Sequence, residues 1–338
     1  MMARSRLVPG FLFVACSAPL LYFLLFHSSN AATSSLRPFR PNNLSLPASR
    51  TNIILQQQAL RGFSPAVESQ AEQWVRFTWN TEEGGSLPFL VFVHVPKTAG
   101  SSVKHLLHHI CGRKGAVVDH HSSFRFLSYS ERKQNSYCSL YGHIGYGIDE
   151  MNEWKVHKQV MYITFLRDPV RRLLSQYNFS CRRMGDSANL TLDEFLDKKE
   201  RQWSFGPWSG IDPATSQLGT PRFWTSIQEQ FAMSPVSRED LQRAKWRLAH
   251  GVDVLGLVER YEDSIQLMSF KLGLKLPKQL VNQQNNQSKR PTDLHFSQLS
   301  DAQLRRMREM NRLDIELYEY AQQLFEARLA AMNRRNNG

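Results

Sequence analysis

Between Pro96 and Ser102 the chain reads Pro-Lys-Thr-Ala-Gly-Ser-Ser, directly after the apolar run Phe89-Leu-Val-Phe-Val-His-Val95. Small residues let a backbone turn tightly around an anion, and the start of a following helix offers N–H groups that lack partners within the helix. Lys97 and the hydroxyls of Thr98, Ser101 and Ser102 add further donors, so the junction has the composition of a phosphate cradle. It does not have the pattern of an ATP-binding P-loop, in which the lysine follows the second glycine, because Lys97 precedes Gly100. The simpler reading of the three hydroxyls is an ordinary helix N-cap.

A second junction of the same kind lies about 70 residues on, where Val160-Met-Tyr-Ile-Thr-Phe-Leu166 runs into Arg167-Asp-Pro-Val-Arg-Arg-Leu-Leu-Ser175. Pro169 suits the first turn of a helix. Arg167 then sits at a strand's carboxyl end with Ser175 two helical turns further on, and an arginine fork with a hydroxyl can grip one phosphate together. The alternative is that Arg167 pairs with Asp168 or another carboxylate.

These junctions need a sheet to hold them. Short Val/Ile/Leu/Phe-rich runs at 90–95, 139–143, 160–166 and 254–258 suit buried parallel strands, and helical patterns at 102–110, 170–179, 240–250 and 264–272 alternate with them. Such alternation predicts an α/β fold, a central parallel sheet flanked by helices. From Leu304 to Leu324 apolar residues recur at steps of three and four, which predicts one long amphipathic helix bent near Asn311. The Gln/Asn-rich stretch 279–287 reads as a loop, and no internal repeat is evident.

The N-terminus sets the compartment. Residues 7–26 form an apolar run without charge behind Arg4 and Arg6, long enough to span a bilayer as an anchor over 7–27, and the basic flank favours keeping residues 1–6 cytoplasmic. This predicts a type II signal anchor with the bulk of the chain lumenal; Asn30-Ala31-Ala32 supplies a cleavage site for the competing reading, a signal peptide. Residues 28–87 are rich in Ser, Asn, Gln and Pro and read as a stem, with a short helix around 56–77. Sequons at Asn43, Asn178, Asn189 and Asn286 suit a secretory protein. Cys111, Cys138 and Cys181 lie in the oxidising part of the chain and allow three pairings, or none.

The formal charge is +12, but residues 1–67 hold six basic and no acidic residues, which leaves 36 basic against 30 acidic in the remainder. The head is thus only moderately basic. That balance fits a solvated surface or an acidic glycan partner, and the compartment argues against nucleic acid.

The sequence around both junctions resembles one family. His94-Val-Pro-Lys-Thr-Ala-Gly-Ser-Ser102 followed by Ile163-Thr-Phe-Leu-Arg-Asp-Pro-Val-Arg-Arg-Leu-Leu-Ser175 is similar to the paired nucleotide motifs of the Golgi carbohydrate sulfotransferases, nearest the heparan sulfate 2-O and 6-O enzymes. Segments 253–261 and 310–325 resemble the 6-O branch, whereas Tyr141-Gly-His-Ile144 resembles the segment carrying the catalytic histidine of the 2-O branch.

The resemblance implies a P-loop-like sulfotransferase fold over residues 88–330, with 331–338 a tail, and a sulfate donor, 3′-phosphoadenosine 5′-phosphosulfate (PAPS). It implies that Lys97, Thr98, Ala99, Gly100, Ser101 and Ser102 wrap the 5′-phosphosulfate, that Arg167 and Ser175 hold the 3′-phosphate, and that Lys289 and Arg290 close over the nucleotide. His143 becomes the general base, with Lys97 neutralising the leaving oxygen. The acceptor is an acidic glycan, the membrane that of the Golgi, and no metal is required.

Other features carry less. His105, His108 and His109 with Cys111 could serve zinc, but they lack a metalloprotease glutamate. A nucleotide kinase sharing the sheet and a non-catalytic glycan-binding protein on the same scaffold are the rival functions.

Overall fold

The computed structural model describes residues 63–79, 87–112, 117–118, 126–183, 190–201, 211–220, 236–276 and 293–337. In chain order these form helix α1 (Pro65–Arg76), strand β1 (Phe89–Val93), α2 (Gly100–Cys111), β2 (Val117–Val118), α3 (Glu131–Asn135), β3 (Ser139–Gly142) and β4 (Val160–Leu166). There follow α4 (Pro169–Arg183), α5 (Leu192–Arg201), α6 (Pro213–Gly219), α7 (Arg238–His250), β5 (Val254–Leu257), α8 (Tyr261–Leu272), α9 (Asp301–Met310) and α10 (Arg312–Asn337).

The five strands form one sheet in the order β2-β3-β1-β4-β5, with every neighbouring pair parallel. Strand side chains alternate between faces, and β1, at the centre, is apolar at all five positions because both of its faces are covered. Leu90 and Phe92 join Val103, Leu106 and Leu107 of α2 and Ile265 and Met268 of α8 on one face. Phe89, Val91 and Val93 join α1, α7 and the long α10 on the other. A third cluster knits α4 to α5 and α9 through Leu173, Leu174, Phe195, Leu196, Met307 and Met310.

The expected parallel sheet and its four main strands are present. The C-terminal helix is bent where expected: α9 ends at Met310, and Asn311 leaves helical geometry at φ −124° and ψ 33° before α10 begins. Asn311 is fully buried there. Its amide donates to the Met307 carbonyl at 3.1 Å and accepts from Arg172 at 3.1 Å.

Two boundaries differ from the expectation. Within the presumed stem, α1 buries Val67, Ala71, Trp74 and Val75 in the core, so the folded head begins before residue 88. Its C-terminus is held by a buried cation. Lys271 Nζ donates to the Trp74 carbonyl at 2.9 Å and also to that of Phe77, as suits a positive charge at a helix end. At the other end, α10 runs to Asn337 with Ala331 and Met332 buried, so residues 331–337 are helix rather than tail.

Of the three cysteine pairings, Cys111–Cys138 is formed, and it ties the end of α2 to the residue preceding β3. The side chain of Cys181 is not among those described. Residues 1–62, with the presumed anchor at 7–27, also lie outside the described residues; among the latter no helix is long and apolar enough to cross a membrane.

Candidate active site

The three carboxyl ends of β1, β3 and β4 lie side by side in the sheet, and each carries part of the predicted site. In parallel α/β sheets this edge is where ligands bind.

At the end of β1 the chain turns through Pro96 to Gly100. Lys97 and Ala99 both have left-handed backbones, at φ 70° and 62°, a conformation that costs a non-glycine residue about 1–2 kcal/mol. Alternating left-handed residues turn successive N–H groups toward one point, which is the geometry of an anion nest. The strain is held in place by Thr98, which is fully buried and donates its hydroxyl to the Val95 carbonyl at 2.7 Å. Thr98 therefore braces the loop, and its N–H rather than its hydroxyl is what it can offer a ligand.

Gly100 begins α2, and its need for glycine lies in a neighbour. A Cβ at this position would fall 1.9 Å from Nε2 of His94, whose ring lies directly against the loop. Ser101 is exposed beside it, whereas Ser102 is buried and hydrogen-bonded to Tyr261, so its side chain serves the core.

The second motif meets the first. Arg167, half-buried after β4, donates from Nη1 to the Lys97 carbonyl at 3.4 Å, joining segments 70 residues apart. Burial pulls the Arg167 guanidinium below its usual range, and the nearby Glu259 carboxylate opposes that shift. Asp168, which also attracts the Arg167 guanidinium, caps α4, accepting from the Arg171 N–H at 2.8 Å. Glu259 spans the back of the site, accepting from the Asp168 N–H at 3.1 Å and from the Tyr318 hydroxyl at 2.8 Å. A small cavity lined by Thr98, Arg167, Pro169, Arg172 and Tyr318 opens between these groups. Ser175 is half-buried on α4, two turns past Arg167, and Lys97 Nζ rests 3.9 Å above the Phe179 ring of the same helix.

His143 follows β3. Its Nδ1 lies 2.7 Å from the carbonyl oxygen of His94, and the two imidazoles stack with centroids 4.4 Å apart. A carbonyl only accepts, so Nδ1 carries a proton, and a neutral ring in this orientation has its lone pair on Nε2, the form a general base requires. Through the His94 ring, the base and the phosphate loop share one contact surface.

Among the remaining predicted site residues, Lys289 and Arg290 lie outside the described residues, as do the sequons at Asn43, Asn189 and Asn286. Asn178 is spoken for. From α4, its amide donates to the Leu294 carbonyl at 2.9 Å and accepts from the Leu294 N–H at 3.0 Å, so a glycan on Nδ2 would break that pairing. Cys111, once grouped with three histidines as a metal candidate, is consumed by its disulfide.

A profile of the Sulfotransferase family matches residues 88–321. The chain belongs to this family. Among curated proteins it is similar to heparan sulfate 2-O-sulfotransferase 1 of Gallus gallus and of Homo sapiens, 25% identical over 265 residues and covering 70% of each chain. The Xenopus laevis protein of that name is 27% identical over 202 residues, 54% of each chain. The matched region spans both junctions and His143.

Several contributors were not legible beforehand. His94 stood beside the first motif, but its packing against Gly100 and His143 depends on the sheet. Glu259 and Tyr318 lie in the segments 253–261 and 310–325 that resemble the family, but nothing local marks them as meeting the site; that follows only from the bonds of Glu259 to the Asp168 N–H and to the Tyr318 hydroxyl.

Proposed function

We propose that this protein moves a sulfuryl group from PAPS to a hydroxyl of a glycosaminoglycan or related acidic oligosaccharide, as a heparan sulfate 2-O- or 6-O-like sulfotransferase. The observation that carries the reading is the hydrogen bond from His143 Nδ1 to the carbonyl of His94, the residue whose ring lies against the phosphate loop; it supports Nε2 as the proton acceptor. The names of the matched relatives support a heparan sulfate acceptor and favour the 2-O position.

The residues fit a donor of this kind. The nest of Lys97 to Ser101 suits the 5′-phosphosulfate, and Arg167 with Ser175 suits the 3′-phosphate that distinguishes PAPS from ATP. When bound, the donor supplies an activated sulfuryl group whose S–O bond to phosphate is broken in the transfer. His143 Nε2 takes the proton of the acceptor hydroxyl as its oxygen bonds to sulfur, and Lys97 neutralises charge left on the departing phosphate. We further propose a Golgi type II membrane protein with a lumenal head, anchored by residues 7–27 and bearing glycans at Asn43, Asn189 and Asn286.

Incubating the full chain with radiolabelled PAPS and a panel of desulfated glycosaminoglycans, then mapping product disaccharides, tests the reading. Label in a uronic acid 2-O or glucosamine 6-O position supports it. No consumption of PAPS with any acceptor, while heparin still binds, points instead to a glycan-binding protein.

A further inference from the structure

The His94 carbonyl that orients His143 has a second donor. Gln217 Nε2 reaches it at 3.2 Å and reaches the Ile144 carbonyl at 3.0 Å, so one fully buried amide touches the exits of β1 and β3 on either side of the base. The Gln217 backbone carbonyl also accepts from the Tyr146 N–H at 2.9 Å. His94 lies one residue past the end of β1, with its N–H still paired to the Gly142 carbonyl at 2.8 Å. Its carbonyl accepts from both His143 Nδ1 and Gln217 Nε2.

Gln217 is itself held at both ends of a short helix. All seven residues of α6 are buried. At its start, Asp314 accepts from the Ala214 N–H at 3.0 Å and the Thr215 N–H at 2.7 Å. At its end, Arg247 donates to the Leu218 carbonyl and Arg243 to the Gly219 carbonyl, each at 2.8 Å. A Cβ on Gly219 would fall 2.0 Å from the Asp240 carbonyl oxygen, so this helix has no room to shift toward α7.

We infer that Gln217 is a positioning residue for the base: by fixing the His94 carbonyl, it holds His143 in the tautomer with the proton on Nδ1 and the lone pair on Nε2. The inference rests on the sulfotransferase reading for its effect on turnover, but its structural content does not.

The test uses the full chain and two kinds of readout. In Gln217→Met, which keeps the volume and removes the donor, turnover should fall about 10- to 100-fold, taking the range for lost partners that orient metal-ligating histidines as the scale for orienting a base. Acceptor KM and the affinity for adenosine 3′,5′-bisphosphate should stay within about threefold, since neither ligand is held by Gln217. Long-range proton–nitrogen spectra of imidazole-labelled protein should show His143 protonated on Nδ1 in the wild type and as mixed tautomers in the variant. Wild-type turnover in Gln217→Met, or His143 protonated on Nε2 in the wild type, overturns the inference. Should Gln217→Met fail to fold, Gln217→Glu keeps the shape, and its turnover should fall as rising pH ionises the carboxyl and removes its last donor; a wild-type pH profile overturns the inference. If His143→Ala retains full activity, the functional reading fails, and the tautomer spectra still decide the role of Gln217.

Discussion

The donor side and the base side of the site are built in opposite ways. On the donor side, the phosphate loop relies on backbone shape: two left-handed residues, a glycine excluded from having a side chain, and one buried hydroxyl bracing the turn, all within seven positions. On the base side, His143 takes its orientation from a carbonyl 49 residues earlier, and that carbonyl is held by an amide 123 residues later. A local backbone device leaves a motif, whereas a device of distant side chains leaves only a lone histidine.

Breaking the base side should give the largest effect. His143→Ala should lower turnover about 10²- to 10⁴-fold, the usual contribution of a general base, with bisphosphate affinity intact by calorimetry. Retained turnover would erase the distinction between the two sides.

On the donor side, Arg167→Ala should instead weaken bisphosphate binding by about 2–5 kcal/mol, the cost of truncating a half-buried charged partner, while turnover at saturating PAPS changes less. An unchanged dissociation constant would remove the arginine from the 3′-phosphate site.

A smaller effect should separate the supports beneath the two sides. Asp212, at the N-terminus of α6, accepts from the Asp314 N–H at 2.8 Å, and burial together with the Asp314 carboxylate pushes its pKa up to about 7. Because the folded value lies above the unfolded one, the stabilisation belongs to the neutral carboxyl and is lost as pH rises from about 4 through 7. Asp212→Asn should therefore flatten the fall in melting temperature between pH 5 and 8, by about 2–4 °C per kcal/mol removed. Parallel melting curves for wild type and variant would contradict this.

The smallest effect is expected at Ala99. Ala99→Gly relieves a left-handed alanine and should raise stability by up to about 1 kcal/mol in urea melts, without the loss of turnover that follows at His143. A destabilised variant would show that the loop is not strained.

The same contrast explains what the sequence made legible. Strands β1, β3, β4 and β5 were visible because both faces of a central parallel sheet demand unbroken apolar runs. The bend at Asn311 interrupts an otherwise continuous apolar stripe. Helix α6 was not visible: Pro213 to Gly219 is buried on all sides and has no amphipathic period, and its ends are secured by Asp314, Arg243 and Arg247 from far along the chain. Helix α1 was legible as a short helix within 56–77, but its place in the core was not, because only four of its residues are buried and its placement depends on Lys271 and on the Trp74 indole donating to the Asp253 carbonyl at 2.6 Å.

The disulfide between Cys111 and Cys138 has a consequence for handling the protein. Helix α2 starts at the phosphate loop and strand β3 ends at the base, so the bridge closes a covalent ring at the far ends of the two elements that carry the chemistry. A single backbone cut anywhere between the two cysteines would leave the fragments joined until a reductant is added. Nicked protein would then migrate as one chain on a non-reducing gel and as two on a reducing one, with loop and base still fastened to a common frame.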